Sequence, residues 1–300
     1  MDVPCGFLVL DKTSGPTSHG CVALVRRAYG LRRVGHGGTL DPAVTGVLPI
    51  AVGAATRLLP YLPGEKAYHG CIQLGLRTHS DDLQGTVLEH APVPSLTAAQ
   101  LQALLEPFRG SIQQRPPQVS AVHVDGQRAY QRVREGQELQ LPPRPVVIAA
   151  LDLLAWDPAQ QRLEIAVRCS AGTYIRALAR DLGEALGCGG CLAWLRRTEA
   201  LGFDLSAAVP MDRLEAAITG AQPLPPLLDP RHALQHLPQV QLTAEEQSGW
   251  RCGRPFAAGQ RLQGPAEAVV VLHPDGSLAG MAQADGAALL QPRLVLQAAG

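Results

Sequence analysis

Lysine is nearly absent from this chain. Of its 26 basic side chains only Lys12 and Lys66 are ammonium groups, which leaves 24 arginines in 300 residues. The two lysines lie in the segments that flank one glycine-rich loop, a hint that a compact ammonium rather than a planar guanidinium is wanted there. No stretch reaches the roughly 18 consecutive apolar residues of a membrane span. The first residues, Met1-Asp2-Val3-Pro4-Cys5, lack the basic region of a signal peptide, so the expected setting is soluble and cytoplasmic. Seven cysteines, odd in number and scattered from Cys5 to Cys252, point to free thiols in a reducing compartment. Cys188-Gly-Gly-Cys191 has metal or redox spacing, but no second pair and no nearby histidine support a zinc site. The Gly-Lys-Ser/Thr ending of a P-loop and the Rossmann glycine spacing are both missing, and no internal repeat is present. Neither a cofactor nor a metal is therefore expected.

A net charge of zero does not advertise a nucleic-acid binder. The distribution says more. Residues 1–66 carry seven basic against four acidic side chains, and residues 106–146 carry six against four. Arg196 and Arg197 add a further pair.

What is present centres on Gly35-His36-Gly37-Gly38-Thr39-Leu40-Asp41-Pro42-Ala43-Val44-Thr45-Gly46. This stretch sets one carboxylate, Asp41, among glycines that permit unusual turns and close approach. Pro42 fixes its own φ and biases Asp41 away from helical angles. An apolar run, 47–53, follows and reads as a buried strand, so Asp41 stands at the mouth of a rigid element. An Asp before Pro is also a common turn former, so the motif alone leaves a structural role open.

In chain order, Gly6–Leu10 reads as a strand. A helix capped by Thr17 or Ser18 runs to about Ala28 and stops at Gly30. A short helix spans Ala54–Leu62, and Lys66–Leu76 alternates like a strand, with Tyr68 readable as an ordinary half-buried strand aromatic. Ser95 or Thr97 caps a helix to about Phe108. The segment 113–145 is rich in Pro, Gln and Arg, with a hairpin signal at Asp125-Gly126 and a short helix expected over 129–135. It reads as a basic surface insertion. Strands are expected over 146–155, 163–169 and 191–197, with a helix from Tyr174 to Leu186 between the last two. Arg176 lies in the first turn of that helix, where a cation opposes the dipole. A distant carboxylate would resolve this, and Asp41 is the choice over Asp181 and Glu184 on the same helix. Pro223–Pro230 marks a linker. Beyond it a short helix near 244–251 and brief strands suggest a small β-barrel.

Four blocks together resemble the tRNA pseudouridine synthase B family: Leu10-Asp11-Lys12, Gly35 to Arg57, Lys66 to Asp82, and Cys169 to Arg176. Pro116-Pro117, Ser120-Ala121 and Gly126–Tyr130 resemble that family's RNA-gripping segment. Departures are small: Val119 stands where Tyr is common, Val133 where Ala is frequent, and Ala43-Val44 replaces the usual Leu-Ala. The resemblance implies an α+β pseudouridine synthase fold, with a mixed, largely antiparallel sheet flanked by helices around a central cleft. It implies a catalytic domain over 1–230 and a small PUA-like RNA-binding β-barrel over 231–300.

The same resemblance implies function. The family converts uridine 55 in the T-loop of tRNA to pseudouridine by breaking a C–N glycosidic bond, turning the base and rejoining it through carbon. No electrons are exchanged with a cofactor. Asp41 is then the essential carboxylate, either attacking the ribose or assisting an elimination. Arg176 within about 4–6 Å would favour its charged form. Tyr68 stacks on the flipped uracil, with Tyr174 and Leu195 as pocket partners. His36 fills or supports the vacated space. Lys12, Arg57 and the arginines of 109–144 neutralise phosphates. The expected partner is the tRNA T-arm, with no membrane and no obligate protein partner, and the protein is expected to be a monomer. Two rivals remain: a catalytic subunit of a guide-RNA-dependent particle, and a non-catalytic tRNA-binding or tRNA-folding protein.

Overall fold

The apolar run after Gly6 forms β1 (Gly6–Lys12). Thr17 caps the helix Ser18–Tyr29, and Gly30, at φ 64°, ends it in the left-handed conformation. Arg26 and Arg27 sit in the last turn, where cations suit the dipole. β2 (Val34–His36) and β3 (Thr45–Val52) follow, with β3 antiparallel to β1. Both long strands are buried on both faces, and the alternation divides the cores. Leu8, Leu10, Leu48 and Ile50 pack with Cys21, Val22 and Val25 of the helix. Phe7, Val9, Val47 and Ala51 pack with Val270, Met281 and Leu294 from the end of the chain.

A computed structural model describes residues 4–120, 123–124, 127–128, 132, 141–285 and 289–296. The further strands up to residue 210 are β4 (Lys66–Leu74), β5 (Leu76–Thr78), β6 (Val87–His90), β7 (Gly110–Gln114), β8 (His123–Val124), β9 (Gln127–Arg128), β10 (Arg144–Asp157), β11 (Arg162–Cys169), β12 (Gly190–Ala200), β13 (Phe203–Asp204) and β14 (Val209–Pro210). One large sheet runs in the order β14-β1-β3-β12-β4-β11-β10-β7, with β2 on β3 and β13 on β12. Its pairings are antiparallel except β1–β14 and β3–β12. The mixed, largely antiparallel sheet expected for the fold is therefore present, and the parallel step sets β12 beside the Asp41 strand.

Several elements shift from expectation for local reasons. Residues 53–61 wind as a 3-10 helix, entered through Gly53 at φ 65° and carrying Pro60 inside. The helix begun by the Thr97 capping box ends at Leu105, and Pro107 lies in the 3-10 turn that continues to Phe108. Gln114 and Arg144 pair across β7 and β10, so the basic insertion leaves and rejoins the sheet at one point. The strands flanking 125–126 pair as a hairpin. The helix expected over 129–135 lies outside the described residues, apart from Arg132.

The proline-rich stretch 223–230 is not a free tether. Phe7 and Leu228 exchange backbone hydrogen bonds of 3.0 and 2.8 Å, and the Tyr29 hydroxyl donates to the Pro225 carbonyl. Beyond it, β15 (Gln239–Gln241), β16 (Phe256–Ala257), β17 (Ala266–Leu272), β18 (Leu278–Ala284) and β19 (Leu289–Val295) form a curled sheet ordered β15-β17-β18-β19-β16. At Gly280 a methyl group would lie 1.9 Å from the Leu294 carbonyl oxygen, so only glycine lets β18 and β19 approach there. The buried Trp250 ring donates its Nε1–H to the Ala279 carbonyl at 3.1 Å. Because Val270, Met281 and Leu294 share a core with β1 and β3, the expected division at residue 230 parts the chain in sequence but not in packing.

Candidate active site

The Asp41 loop is held from three sides. The Asp41 carbonyl accepts from the Val44 N–H at 3.0 Å, so Asp41-Pro42-Ala43-Val44 is a turn with Pro in its second position. The side chain stays free of that turn. Lys12, fully buried on β1, donates to the carbonyls of Thr13, Pro42 and Val44 at 3.0, 2.9 and 2.7 Å. Ser18 contacts both the Leu40 N–H and the Leu40 carbonyl through its hydroxyl. Arg197, fully buried on β12, donates to the carbonyls of Val47, Thr39 and Gly38. At Gly46, φ 100°, a methyl group would lie 2.2 Å from the Arg197 carbonyl oxygen.

Arg176 closes the site from the helix Ile175–Ala185, whose first turn it occupies. Its Nε lies 3.0 Å from the Asp41 carboxylate and 3.8 Å from that of Asp82. Its other nitrogens donate to the carbonyls of Ser80 and Val119 at 2.8 and 3.0 Å. The distant carboxylate expected for this cation is thus Asp41, while Asp181 pairs instead with Arg180. Asp82 holds the second half of the clamp. One of its oxygens accepts from the Ser80 hydroxyl and the Gln84 N–H, which leaves the other for Arg176. One helical turn on, Arg180 pairs with Asp81 at 2.9 Å. Neighbouring acids on one turn therefore meet arginines four apart on one helix face. Glycines on both sides let that helix reach β12: a methyl group on Gly190 would lie 2.6 Å from the Ala179 carbonyl oxygen, and one on Gly183 2.1 Å from the Gly189-Gly190 backbone. The Cys188-Gly-Gly-Cys191 spacing thus has a packing reason. Both thiols are buried, and burial pushes that of Cys191 up to about 12.

Asp41 faces a cavity of about 220 Å³ lined also by Lys66, Tyr68, Tyr174, Arg176 and Leu195. Tyr68 is 8% exposed, and burial pushes its phenol pKa up, opposed by the Arg197 guanidinium beside it. Burial likewise raises Tyr174, whose backbone N–H begins the helix by donating to Gln114 at 2.8 Å. A larger cavity of about 600 Å³, lined by Arg77, Asp81, Arg115, Arg180 and Asp181, contains neither Asp41 nor Tyr68. Chemistry rather than size selects the smaller one. Aromatic and aliphatic walls around one ion-paired carboxylate suit a planar base with an attached sugar.

Of the residues singled out in the sequence, Asp41, Tyr68, Arg176, Tyr174 and Leu195 meet here. One, Lys12, does not behave as expected, and two others, Arg57 and His36, lie away from the cavity. Lys12 cannot meet a phosphate: it is sealed inside, with all three ammonium donors spent on loop carbonyls. Arg57 is exposed and donates to the Val295 carbonyl at 3.2 Å, which ties it to the C-terminal sheet and not to the cavity. His36 is half-buried. Its Nδ1 accepts from the Gly38 N–H at 3.3 Å and its ring meets His19 edge-on, so it braces the loop from outside the cavity lining. Arg197, counted in the sequence as one of a further basic pair, is an internal brace. Its neighbours on the strand, Arg196, Thr198 and Glu199, are polar as well, so no local signal set it apart.

The first sequence model that matches is that of the TruB family pseudouridylate synthase N-terminal domain, over residues 26–175. The tRNA pseudouridylate synthase B C-terminal domain matches 176–234. A protein of Parasynechococcus marenigrum (strain WH8102) named tRNA pseudouridine synthase B is 60% identical over 300 residues, covering all of both chains. One of the same name from Synechococcus sp. (strain WH7803) is 57% identical over 302 residues, again covering both chains fully. Among solved structures, a Cbf5-Nop10-Gar1 complex aligns at TM-score 0.73 and 24% identity, covering 98% of this chain and 85% of that one. A chain of an H/ACA RNP bound to a substrate RNA containing 2'-deoxyuridine aligns at TM-score 0.71 and 23% identity, covering 97% and 84%. These two likenesses carry the fold.

Proposed function

The chain belongs to the TruB family of pseudouridylate synthases, and on that premise we propose that it isomerises one uridine of the tRNA T-loop, position 55, to pseudouridine with Asp41 as the acting carboxylate. The observation that carries the reading is the Asp41–Arg176 pair at the wall of the cavity formed with Tyr68, Tyr174 and Leu195. A base stacked within a folded loop reaches such a cavity only by swinging out, at a cost of a few kcal/mol. Tyr68 then offers a ring face to the base, while Arg176 orients the carboxylate toward the sugar carbon whose bond to nitrogen breaks. Loop shape and splayed bases select the uridine, since phosphate contacts carry no sequence information directly.

In this reading the protein acts as a monomer on bare tRNA, in the cytoplasm, without an obligate protein partner. The test is incubation of purified protein with unmodified tRNA transcript, followed by mapping of modified uridines. One modified position in the T-loop is expected. Binding without modification would support a folding role instead, and modification only with an added guide RNA would support the particle.

A further inference from the structure

The two lysines, rare as they are, end in opposite states. Lys12 spends each ammonium donor on a carbonyl. Lys66 opens β4 two residues before Tyr68, so both side chains leave the same strand face. Both line the Asp41 cavity. The Lys66 Nζ lies against the Asp41 loop, where a methyl group on Gly38 would sit 3.7 Å from it. Among the described residues no hydrogen bond or ion pair reaches that ammonium. Its surroundings do not welcome it. Burial and the nearby Arg197 push its pKa down, opposed only by Cys169. The acid of the cavity, Asp41, is paired with Arg176 instead. The cavity therefore holds a cation whose acceptor is not supplied by the described residues.

Building on the reading above, we propose that the Lys66 ammonium donates to a carbonyl oxygen of the flipped uracil and stabilises the anion that forms when its glycosidic bond breaks. When the bond from the ribose carbon to N1 opens, the electron pair goes to the ring, and its charge spreads over N1 and the two carbonyl oxygens. The sugar carbon is left electron-poor and is either captured by Asp41, which leaves again as the new bond forms, or relieved by loss of the neighbouring C2′ proton to Asp41, which returns it as the new bond forms. After the ring turns, C5 returns the electron pair to the sugar carbon. The C5 proton is then lost and N1 gains one, so atoms and electrons balance within one nucleoside. Lys66 transfers nothing in this sequence. It places a preorganised donor where charge develops, which is worth far more in a partly dry cavity than in water. Its occupant is the base edge and not a phosphate, because a ring stacked on Tyr68 brings its edge toward the neighbouring side chain on the same strand face.

The test compares wild type, Lys66→Met and Lys66→Gln in single turnovers on a T-arm RNA. The target nucleotide is either uridine or 5-fluorouridine, and its consumption is followed. Fluorine withdraws electrons and makes the uracil anion less dependent on outside help. On uridine, Lys66→Met is expected to lower the maximal rate roughly 100-fold, the scale for losing one preorganised donor. Half-saturation by RNA should stay within about threefold, the pattern of an interaction made chiefly in the transition state. On 5-fluorouridine the loss should shrink to about tenfold or less, a difference of at least one factor of ten in rate. Lys66→Gln, which keeps a neutral donor, should fall between, and it carries the test if the Met variant does not fold. Equal losses on both nucleotides, weaker RNA binding at unchanged maximal rate, or no loss would each overturn the assignment of Lys66. An inactive wild type would instead overturn the function proposed above.

Discussion

Replacing Asp41 by Asn keeps the shape of the side chain and deletes its charge, and the surroundings determine what that should cost. Among the described residues the carboxylate makes one ion pair, to the Arg176 Nε at 3.0 Å, and is itself 44% exposed. Pairs of that kind contribute about 0–1 kcal/mol. Arg176 keeps its bonds to the Ser80 and Val119 carbonyls and its approach to Asp82. The turn built on the Asp41 carbonyl and the Val44 N–H does not involve the side chain. Melting should therefore fall by no more than about 2–4 °C, the shift for 1 kcal/mol in a chain of 150–250 residues. RNA affinity should hold within about tenfold, an allowance of roughly 1.4 kcal/mol. Turnover should fall by at least about 10⁴-fold, because no other group can take over the step. Single-turnover conversion at saturating tRNA transcript, beside filter binding and a melting curve on the same preparation, separates these quantities. Turnover within tenfold of wild type would refute the role of Asp41. Inactivity accompanied by melting lowered by 10 °C or more, roughly 2.5 kcal/mol or above on the same scale, would show the pair to be structural.

Three further outcomes follow from other parts of the molecule. Gly46→Ala forces a side chain into a left-handed backbone and toward the Arg197 carbonyl, so it should cost about 1–3 kcal/mol in chemical denaturation and depress turnover with it; unchanged stability would contradict the close approach of β3 and β12. Neutralising Arg132 and Arg134 in the insertion should weaken tRNA binding and shallow its log–log salt dependence by roughly one to two units. An unaltered slope would remove the insertion from the RNA interface. In the C-terminal part, Arg261 holds the Glu246 carboxyl below its ordinary range, first through its hydrogen bonds. A depressed folded pKa contributes stability that is present above the unfolded value and lost as pH falls through the folded one. Glu246→Gln should thus melt earlier than wild type at pH 7, by about 1 kcal/mol or less, and the gap should close in acid; a gap that widened in acid would reverse the sign of the argument.

Much of the site was legible because local patterns carried it. The glycines, Pro42 and the apolar run beyond them made a rigid turn around Asp41. A cation in the first turn of a helix demanded a distant acid, and Arg176 found Asp41. Alternation gave the strands, although not their two cores. What local pattern could not show was where a charged side chain ends. Lys12 lies between Asp11 and Thr13 and Arg57 between Thr56 and Leu58, yet the one with polar neighbours is sealed under the Asp41 loop and the other reaches Val295 at the surface.

By itself, then, the sequence determined the elements that present Asp41, because these rest on spacing and on backbone preferences of single residues, while the kind of protein was carried by its resemblance to a family. The tertiary structure alone decided which cations are braces and which face the cavity. Burying an ammonium or a guanidinium is tolerated only where enough carbonyls converge on it, and here most of them come from the Asp41 loop and the start of β3. For Arg197 those carbonyls come from residues about 150 positions away, and no neighbour in sequence announces them.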